Sequence, residues 1–202
     1  YKDNFTQYDA SGTFEMGKFL PAKSGLRLPL YLGYSESVST PQYDPYDTDI
    51  ELNTVLDSIR AKADLPNAAD SAKAYKNITQ TQQTIKSVNL TNIRKERTNT
   101  ERKPQFYDVE NWNATYAYTD QHLSDPIIES DRIKRHKASL AYSYSARPIY
   151  WSPMKRFIPQ KSKYLQLIRD FNLHLVPSNL SYRNDINREI GVLKLRAFEP
   201  GL

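Results

Sequence analysis

The chain has 202 residues, of which 39% are hydrophobic and 25% are charged, and its formal net charge is +5. This balance excludes a disordered tail, and the absence of cysteine excludes disulfide scaffolds, thiolate zinc sites and cysteine nucleophiles. No stretch approaches the roughly 18 consecutive apolar residues that a membrane helix needs. Membrane-spanning strands stay open, because each needs only about 9–11 residues of alternating character.

The N-terminal region predicts two β-strands. Residues 13–20 alternate weakly between apolar and other side chains, and residues 26–36 alternate strictly, which gives the second strand a fully apolar face. Pro29 lacks an amide donor and therefore favours a strand end, a bulge or a sheet edge. Residues 37–47 contain two X-Pro steps and predict a loop. The apolar face of the second strand consists of Leu26, Leu28, Leu30, Leu32 and Tyr34.

A helical insertion is expected over residues 48–86. Thr48 and Glu51 have the spacing of a capping box, in which each side chain satisfies a backbone donor of the other residue. An apolar stripe predicts a helix over residues 49–63, and residues 70–86 predict a second, largely polar helix. Because the second helix has few large aliphatic side chains, we expect it to be exposed.

After the insertion, residues 88–93 predict a short strand, and residues 111–119 and 138–146 predict two longer ones, joined by a loop at 120–133. Both longer strands combine an aromatic face with a face of small polar side chains. This pattern fits the aromatic girdle and water-facing lumen of a membrane barrel, and it equally fits a half-exposed soluble sheet. The aromatic faces consist of Trp112, Ala114, Tyr116 and Tyr118, and of Ala138, Leu140, Tyr142, Tyr144 and Ala146.

The C-terminal third predicts two further strands, at residues 170–183 and 188–198, separated by a tight turn at 184–187. A single helical turn is expected at residues 164–168. Six or seven strands with long polar connections and no βαβ rhythm predict an all-β barrel or sandwich.

The sequence predicts no metal or cofactor site. The three histidines lie far apart, and the few glycines do not form a phosphate-binding loop. The one acidic cluster lacks the spacing of an EF-hand, so we interpret its carboxylates as turn-forming and helix-capping groups in preference to an ion site. The histidines are His122, His136 and His174, and the acidic residues are Asp44, Asp47, Asp49 and Glu51.

The sequence also predicts no catalytic site. A glycoside hydrolase needs two carboxylates that face each other across a cleft. Asp108, Glu110 and Asp120 flank an aromatic strand, but nothing in their spacing pairs them. An enzyme is therefore not expected.

Three basic runs lie at residues 94–97, 102–103 and 132–137. We interpret them first as solvated loops and second as contacts to anionic lipid head groups or to lipopolysaccharide phosphates. Nucleic acid is not expected as a partner, because the tyrosines lie in strands and not beside the basic runs.

Four blocks near the N-terminus carry a family resemblance: GKFLP (17–21), GLRLP (25–29), GYSE (33–36) and TPQYDP (40–45). They resemble the SprA/Sov family, the giant outer-membrane translocons of the type IX secretion system in Bacteroidetes, which are linked to gliding motility. Further blocks that fit lie at residues 89–95, 106–111, 116–118, 172–173, 177 and 187–188. The family-motif positions, interpreted as structural, are Gly17, Phe19, Pro21, Gly25, Pro29, Gly33, Tyr34, Pro41, Tyr43, Asp44, Pro45, Asn92, Arg94, Phe106, Tyr107, Asp108, Pro177 and Arg188.

The resemblance implies that residues 1–202 are part of one domain, a segment of a large antiparallel transmembrane β-barrel that carries the helical loop insertion. It implies a piece of a longer chain in the outer membrane of a Gram-negative bacterium, where the barrel is the structural wall of a protein-conducting channel that opens to the cell surface. The implied partners are exported folded cargo proteins, a plug protein, a lipoprotein-like barrel partner and outer-membrane lipid. No catalytic residue, metal or cofactor is implied.

On this interpretation, lipid or a partner protein contacts the aromatic faces of the two longer strands. Two alternatives remain open: a soluble β-sandwich that binds glycan, and another outer-membrane barrel such as a nutrient receptor. The residues predicted to face lipid or a partner are Trp112, Tyr116, Tyr118, Leu140, Tyr142 and Tyr144.

Overall fold

The structure, a computed structural model, describes residues 3–62, 67–98, 101–102, 104–146, 150–151, 173–174 and 177–197. Its strands are β1 (Asp3–Glu15), β2 (Leu26–Arg27), β3 (Pro29–Pro41), β4 (Thr81–Lys95), β5 (Trp112–Ser124), β6 (Ile128–Ser145), β7 (Tyr150–Trp151), β8 (Leu173–His174) and β9 (Asn179–Leu195). Its helices are α1 (Leu52–Ala61) and α2 (Ala68–Thr79), with 3-10 turns at Met16–Phe19, Ala22–Ser24 and Val109–Asn111.

One antiparallel sheet dominates the described residues, with the strand order β1-β3-β4-β5-β6-β9. The short strand β2 pairs with the end of β4, and β7 pairs with β8 separately. Each long strand thus lies beside the long strands nearest to it in the chain, which is the connectivity of up-and-down sheets and barrels. The sheet is not closed, because β1 and β9 form its two outer edges.

The long strands extend beyond their predicted bounds, and two predictions are wrong. The strand predicted at residues 13–20 lies at Asp3–Glu15 and is followed by a 3-10 turn, and residues 120–133 do not form a loop. Strand β5 continues to Ser124 and β6 begins at Ile128, so only a three-residue turn joins them. The turn forms because the Asp125 carboxylate accepts a hydrogen bond from the Ile127 amide at 2.8 Å. Where both faces of a strand are mostly polar, its sequence shows no alternation of apolar and polar residues. The sequence then predicts a loop in place of a strand.

The same cause explains three further differences. Residues 132–137, interpreted as a basic loop, lie within β6, and the turn predicted at 184–187 lies in the middle of β9. The loop predicted at 37–47 begins only after Pro41, where β3 ends. Pro29 is the first residue of β3, which agrees with the strand end predicted from its missing amide donor. The helical turn predicted at residues 164–168 lies outside the described residues.

Two helices lie between β3 and β4, and the second is shorter than predicted. Helix α2 ends at Thr79, and the polar residues 81–86 are strand, paired with β3 and β5. The predicted capping box is also wrong: Glu51, not Thr48, is the N-cap of α1, and its side chain makes no capping hydrogen bond. Neither described helix is long and apolar enough to cross a membrane.

The fully buried apolar core of the described residues lies between the helices and not on the sheet. Leu52, Leu56 and Ala72 are at most 3% exposed, and Ile59 and Tyr75 pack against them. Large apolar side chains on the sheet remain exposed instead, for example Phe14 at 51% and Ile186 at 62%. No second layer of described residues covers the sheet in the way that a sandwich core requires.

A β-bulge in β4 keeps its apolar side chains on one face. Leu90 pairs with Tyr116 and Ile93 pairs with Ala114, so two residues of β4 oppose a single residue of β5. The inserted Asn92 has φ +58°, a left-handed conformation that asparagine tolerates better than most residues. Without the extra residue, the pleat would turn Ile93 to the other face.

Candidate functional site

Cross-strand pairing arranges the side chains of the sheet in rows, and the rows define two unlike faces. We call one the aromatic face. Its central row consists of Phe14, Leu30, Leu90, Tyr116, Ala138 and Ile186, and the next row of Gly12, Leu32, Val88, Tyr118, His136 and Arg188.

The aromatic face has an apolar half toward the end of the sheet where β5 begins. On β5 this half extends from Trp112 to Tyr118, which at the usual rise of a strand is a length of about 20 Å. The apolar band of a transmembrane barrel is about 25 Å tall and is bordered by aromatic residues at both edges. The apolar half therefore has the composition of such a band and is slightly shorter.

All six residues predicted to face lipid or a partner lie in this apolar half. Tyr142 differs from the other five, because it is only 8% exposed. Its hydroxyl donates a hydrogen bond to the carbonyl of Phe106, and its ring lies 5.1 Å from that of Trp112. The connection between β4 and β5 thus covers Tyr142, while Leu140 remains 42% exposed.

The opposite face, which we call the polar face, carries mainly small polar and charged side chains. Arg135 donates to Glu189 at 2.8 Å and to Gln121 at 3.2 Å, so three strands are joined across this face. Its small side chains include Ser11, Ser35, Ser37, Ser39, Ser87, Thr115, Thr119, Ser139, Ser143 and Ser181.

On β4, β5 and β6, the aromatic face changes from apolar to charged beyond Tyr118, whereas β9 carries the exposed Ile190 and Val192 in the same rows. Arg132 donates two hydrogen bonds to Asp120, at 2.9 and 2.6 Å, in the forked geometry that suits a guanidinium and a carboxylate. Lys86 and Lys134 lie in the same row as Asp120, one on each side of it. We call this part the charged half of the aromatic face.

Two family-motif glycines make the connection between β1 and β3 sterically specific. A Cβ atom at Gly17 would lie 2.2 Å from the carbonyl oxygen of Leu26, and one at Gly25 would lie 2.5 Å from that of Glu96. Gly25 also has φ +60°, where a side chain is strained. The amide of Glu96 donates to the carbonyl of Gly25, which ties this connection to the end of β4.

Asp44, another motif position, is the buried anchor of the helical segment. It is 3% exposed and accepts hydrogen bonds from the Tyr75 hydroxyl at 2.5 Å and from the Tyr46 amide at 2.9 Å. Partial burial and the bond to Asp44 raise the pKa of Tyr75 well above its usual value, so the phenol stays a donor. The Tyr46 hydroxyl donates to the carbonyl of Pro126, which links the loop to the β5–β6 turn.

The acidic cluster therefore forms turns, as the sequence analysis favoured. The carboxylate of Asp47 accepts a bond from the amide of Asp49, and that of Asp44 caps the turn at Tyr46. Among the described residues, no group of three histidine, aspartate or glutamate side chains is placed to hold a metal ion. His174, in β8, has no described side-chain environment.

The three carboxylates considered for hydrolysis are each held by an arginine. Arg97 donates to Asp108 at 2.9 Å and to Glu110 at 3.0 Å, while Asp120 is held by Arg132. A glycoside hydrolase pairs two carboxylates across a cleft, whereas these carboxylates are bound to guanidinium groups. The contacts of Arg97 form an ion-pair network that fixes the β4–β5 connection, and the pair of Asp120 and Arg132 joins β5 to β6.

The remaining motif positions are spread over the fold. Gly33 and Tyr34 lie in β3, which ends at Pro41, and Tyr43 forms an isolated bridge with Glu51. The other motif residues occupy connections or exposed positions: Phe19, Pro21 and Pro45 lie in the first two connections, Phe106 and Tyr107 in the β4–β5 connection, Arg94 in β4, Pro177 just before β9 and Arg188 in β9. They do not converge on one pocket.

Residues 1–56 match the SprA_N family model, whose description is "motility related/secretion protein". The SprA/Sov resemblance is confirmed over those residues. No curated protein matches the sequence. The SprA_N match covers β1, β3, the glycine-containing connection between them and the loop of Asp44. The motif positions after residue 56 stay predictions.

Over residues 1–56, the SprA_N match indicates a function related to motility or secretion, and the matched family is not an enzyme family. A secretion or motility role also indicates a location in the cell envelope. The arginine-bound carboxylates and the two-faced sheet agree with a structural role.

Sequence reasoning missed several residues that organise this structure. Arg97 was interpreted only as part of a basic run, and Tyr75 as part of an exposed helix. A signal for the bulge at Asn92 was present, because the apolar spacing Val88, Leu90, Ile93 breaks a strict period of two.

Proposed function

We propose that this chain is part of the wall of an outer-membrane channel that exports folded proteins in a type IX secretion system linked to gliding motility. The apolar half of the aromatic face contacts lipid, and the polar face lines a water-filled passage. The observation that carries the proposal is a single sheet with one aromatic face and one polar face, neither of them covered by another layer of described residues.

The uncovered apolar half supports a membrane setting. Contiguous exposed apolar surface of this extent is unusual on a soluble monomer and marks an interface with lipid or protein. A soluble sandwich would place a second sheet about 10 Å away, and the described residues provide none. Lipid satisfies the apolar side chains and leaves the serine- and threonine-rich opposite face in water.

The two edges support a larger assembly. Strand β1 has 13 residues and β9 has 17, and each leaves one edge without a partner strand among the described residues. In hydrocarbon, every backbone donor and acceptor must be paired, so a membrane sheet has to close. Further strands close the wall in this proposal, and a plug protein, a lipoprotein-like barrel and the exported cargo act on the channel that results.

Single-cysteine labelling of the native protein in intact outer membranes tests this arrangement. Ile186 and Asn187 are neighbours in β9, are both exposed and lie on opposite faces. A membrane-impermeant maleimide is expected to label Asn187→Cys through the water-filled passage and to leave Ile186→Cys unlabelled, because lipid prevents formation of the thiolate. Because the chain contains no cysteine of its own, the signal is specific within it.

Equal labelling of both variants would contradict the proposal. It is the result expected of a soluble glycan-binding module, since both side chains of the isolated chain face water. Labelling of Ile186→Cys alone would show that the two faces are assigned the wrong way round.

A further inference from the structure

We infer that residues 104–111 of the β4–β5 connection, which we call the outward segment, insert into the apolar region at the border of the membrane. They do so beside the wall, on the side of its aromatic face. This inference rests on the proposed function, since it requires the apolar half of that face to lie in lipid. It goes beyond that function because it assigns a membrane contact to residues outside the strands.

The outward segment folds over the aromatic face of the sheet. The hydroxyl of Tyr142, whose side chain belongs to that face, donates a hydrogen bond to the carbonyl of Phe106. Trp112, which pairs with Tyr142 in the end row of the apolar half, follows directly after the segment in the chain. The backbone of the outward segment therefore lies against the end of the apolar half.

The large apolar side chains of the outward segment point away from the protein. Phe106, Tyr107 and Val109 occupy three of four consecutive positions, and each is between 61% and 65% exposed. The rings of Phe106 and Tyr107 contact each other edge to face, with their centres 5.2 Å apart. These side chains extend the exposed apolar surface beyond the start of β5, and an exposed apolar surface of this kind marks an interface.

The charged groups of the outward segment bind partners inside the connection. Both of its carboxylates, Asp108 and Glu110, bind Arg97, and the side chain of Asp108 is only 10% exposed. The Asp108 carboxylate also accepts a hydrogen bond from the Gln105 amide at 2.7 Å, and the Asn111 side chain donates to the Gln105 carbonyl at 2.8 Å. The segment thus turns polar groups inward and apolar groups outward, which is the reverse of what a loop in water favours.

The border of a membrane is the environment that fits this arrangement. Away from water, charged and hydrogen-bonding groups need partners within the protein, and the contacts of Arg97 supply them. The guanidinium of Arg102 lies 5.9 Å from the ring centre of Tyr107, so its charge can reach the head groups while the ring lies in the apolar region. Because the exposed surface continues the apolar half, lipid is favoured over a partner protein as its occupant.

Fluorescence quenching of the native protein, reconstituted in phosphatidylcholine vesicles, tests the inference. A bimane label on Val109→Cys is expected to lose emission to phosphatidylcholine with a doxyl group on its acyl chain, to an extent comparable to Ile186→Cys, and not to iodide in the water. Ser143→Cys is the matched control, because Ser143 is exposed and adjoins Tyr142 but lies on the polar face. Its label is expected to lose emission to iodide alone, and protein without a new cysteine gives the background.

Equal quenching of Val109→Cys and Ser143→Cys by iodide would overturn the inference, because the outward segment would then lie in water. Protection of Val109→Cys from both quenchers would also overturn it and would indicate a partner protein over the segment. Ile186→Cys separates these failures from that of the proposed function. If the doxyl lipid quenches Ile186→Cys but not Val109→Cys, only the placement of the outward segment is wrong. If it quenches neither, the membrane setting of the wall is wrong as well.

Discussion

Replacing Leu140 with arginine places a charge in the middle of the apolar half. On β6, Leu140 is four residues from His136 and four from Tyr144, so it is about 14 Å from either end of the aromatic stretch. Ser143 is on the same strand, on the polar face, and is also exposed. The pair Leu140→Arg and Ser143→Arg therefore differs in the face that carries the charge and not in solvent exposure within the chain.

The stabilities of Leu140→Arg and Ser143→Arg are expected to differ strongly only if the protein lies in a membrane. An arginine at the midplane of a lipid-facing strand costs about 2–4 kcal/mol, which lowers the ratio of inserted to unfolded protein roughly 30- to 700-fold. At an exposed position of a soluble protein, either substitution would change stability by no more than about 0.5 kcal/mol. We therefore expect Leu140→Arg to fail in membrane assembly and Ser143→Arg to be tolerated.

The assay is the amount of native protein in the outer-membrane fraction that resists both alkaline extraction and added protease. Leu140→Arg is expected to reduce this amount strongly, while Ser143→Arg remains close to the unsubstituted protein. Equal tolerance of both arginines would refute the assignment of the faces. Loss caused by Ser143→Arg alone would show that lipid contacts the polar face.

Three further predictions concern the connections at the two ends of the sheet. Tyr75→Phe leaves one oxygen of the buried Asp44 carboxylate without its donor, and we expect a loss of about 1–3 kcal/mol in unfolding free energy. Because the folded-state pKa of Tyr75 is raised, its stabilising effect is complete below its unfolded pKa of about 10 and is lost as the pH rises through the folded value. Gly25→Ala is expected to destabilise by at least about 1 kcal/mol, because the new Cβ meets a backbone carbonyl at a left-handed φ. Arg97→Met removes the ion pairs to Asp108 and Glu110 and leaves Asp108 only the longer contact to Arg102 at 3.7 Å, so we expect a loss of about 1–3 kcal/mol, measured as faster proteolysis of the β4–β5 connection.

A matched control variant for each prediction distinguishes the loss of the named contact from the general effect of changing a side chain. Tyr8→Phe removes an exposed hydroxyl that makes no hydrogen bond to the described residues, so the thermal unfolding temperature is expected to stay unchanged at every pH. Gly191→Ala is the control for Gly25→Ala, since a Cβ at Gly191 meets no atom within 4 Å. Arg60→Met removes an exposed ion pair to Asp57 and is expected to cost under about 1 kcal/mol. If any control matched its partner variant in effect, the buried contact invoked for that variant would not be its cause.

Much of the site could be predicted wherever a strand has one apolar face. The alternation of Trp112, Tyr116 and Tyr118, and of Leu140 and Tyr144, predicted correctly which residues share a face, because a pleated strand turns successive side chains to opposite sides. The same reasoning failed at residues 120–124 and 128–133. There both faces are mostly polar, with only Leu123, Ile128 and Ile133 apolar, so the sequence has no periodic signal and only pairing with a neighbouring strand shows that each strand continues.

The sequence by itself determined the antiparallel all-β character, the aromatic and polar faces of β5 and β6, and the likeness to motility and secretion proteins over the first 56 residues. These are local properties, encoded by period and by short motifs. Only the tertiary structure decided that Arg97 holds Asp108, that Tyr75 holds Asp44, and that Lys86 and Lys134 flank Asp120 in one row. These contacts join residues between 11 and 48 positions apart in sequence, and no local pattern encodes them because strand register and chain reversal bring them together.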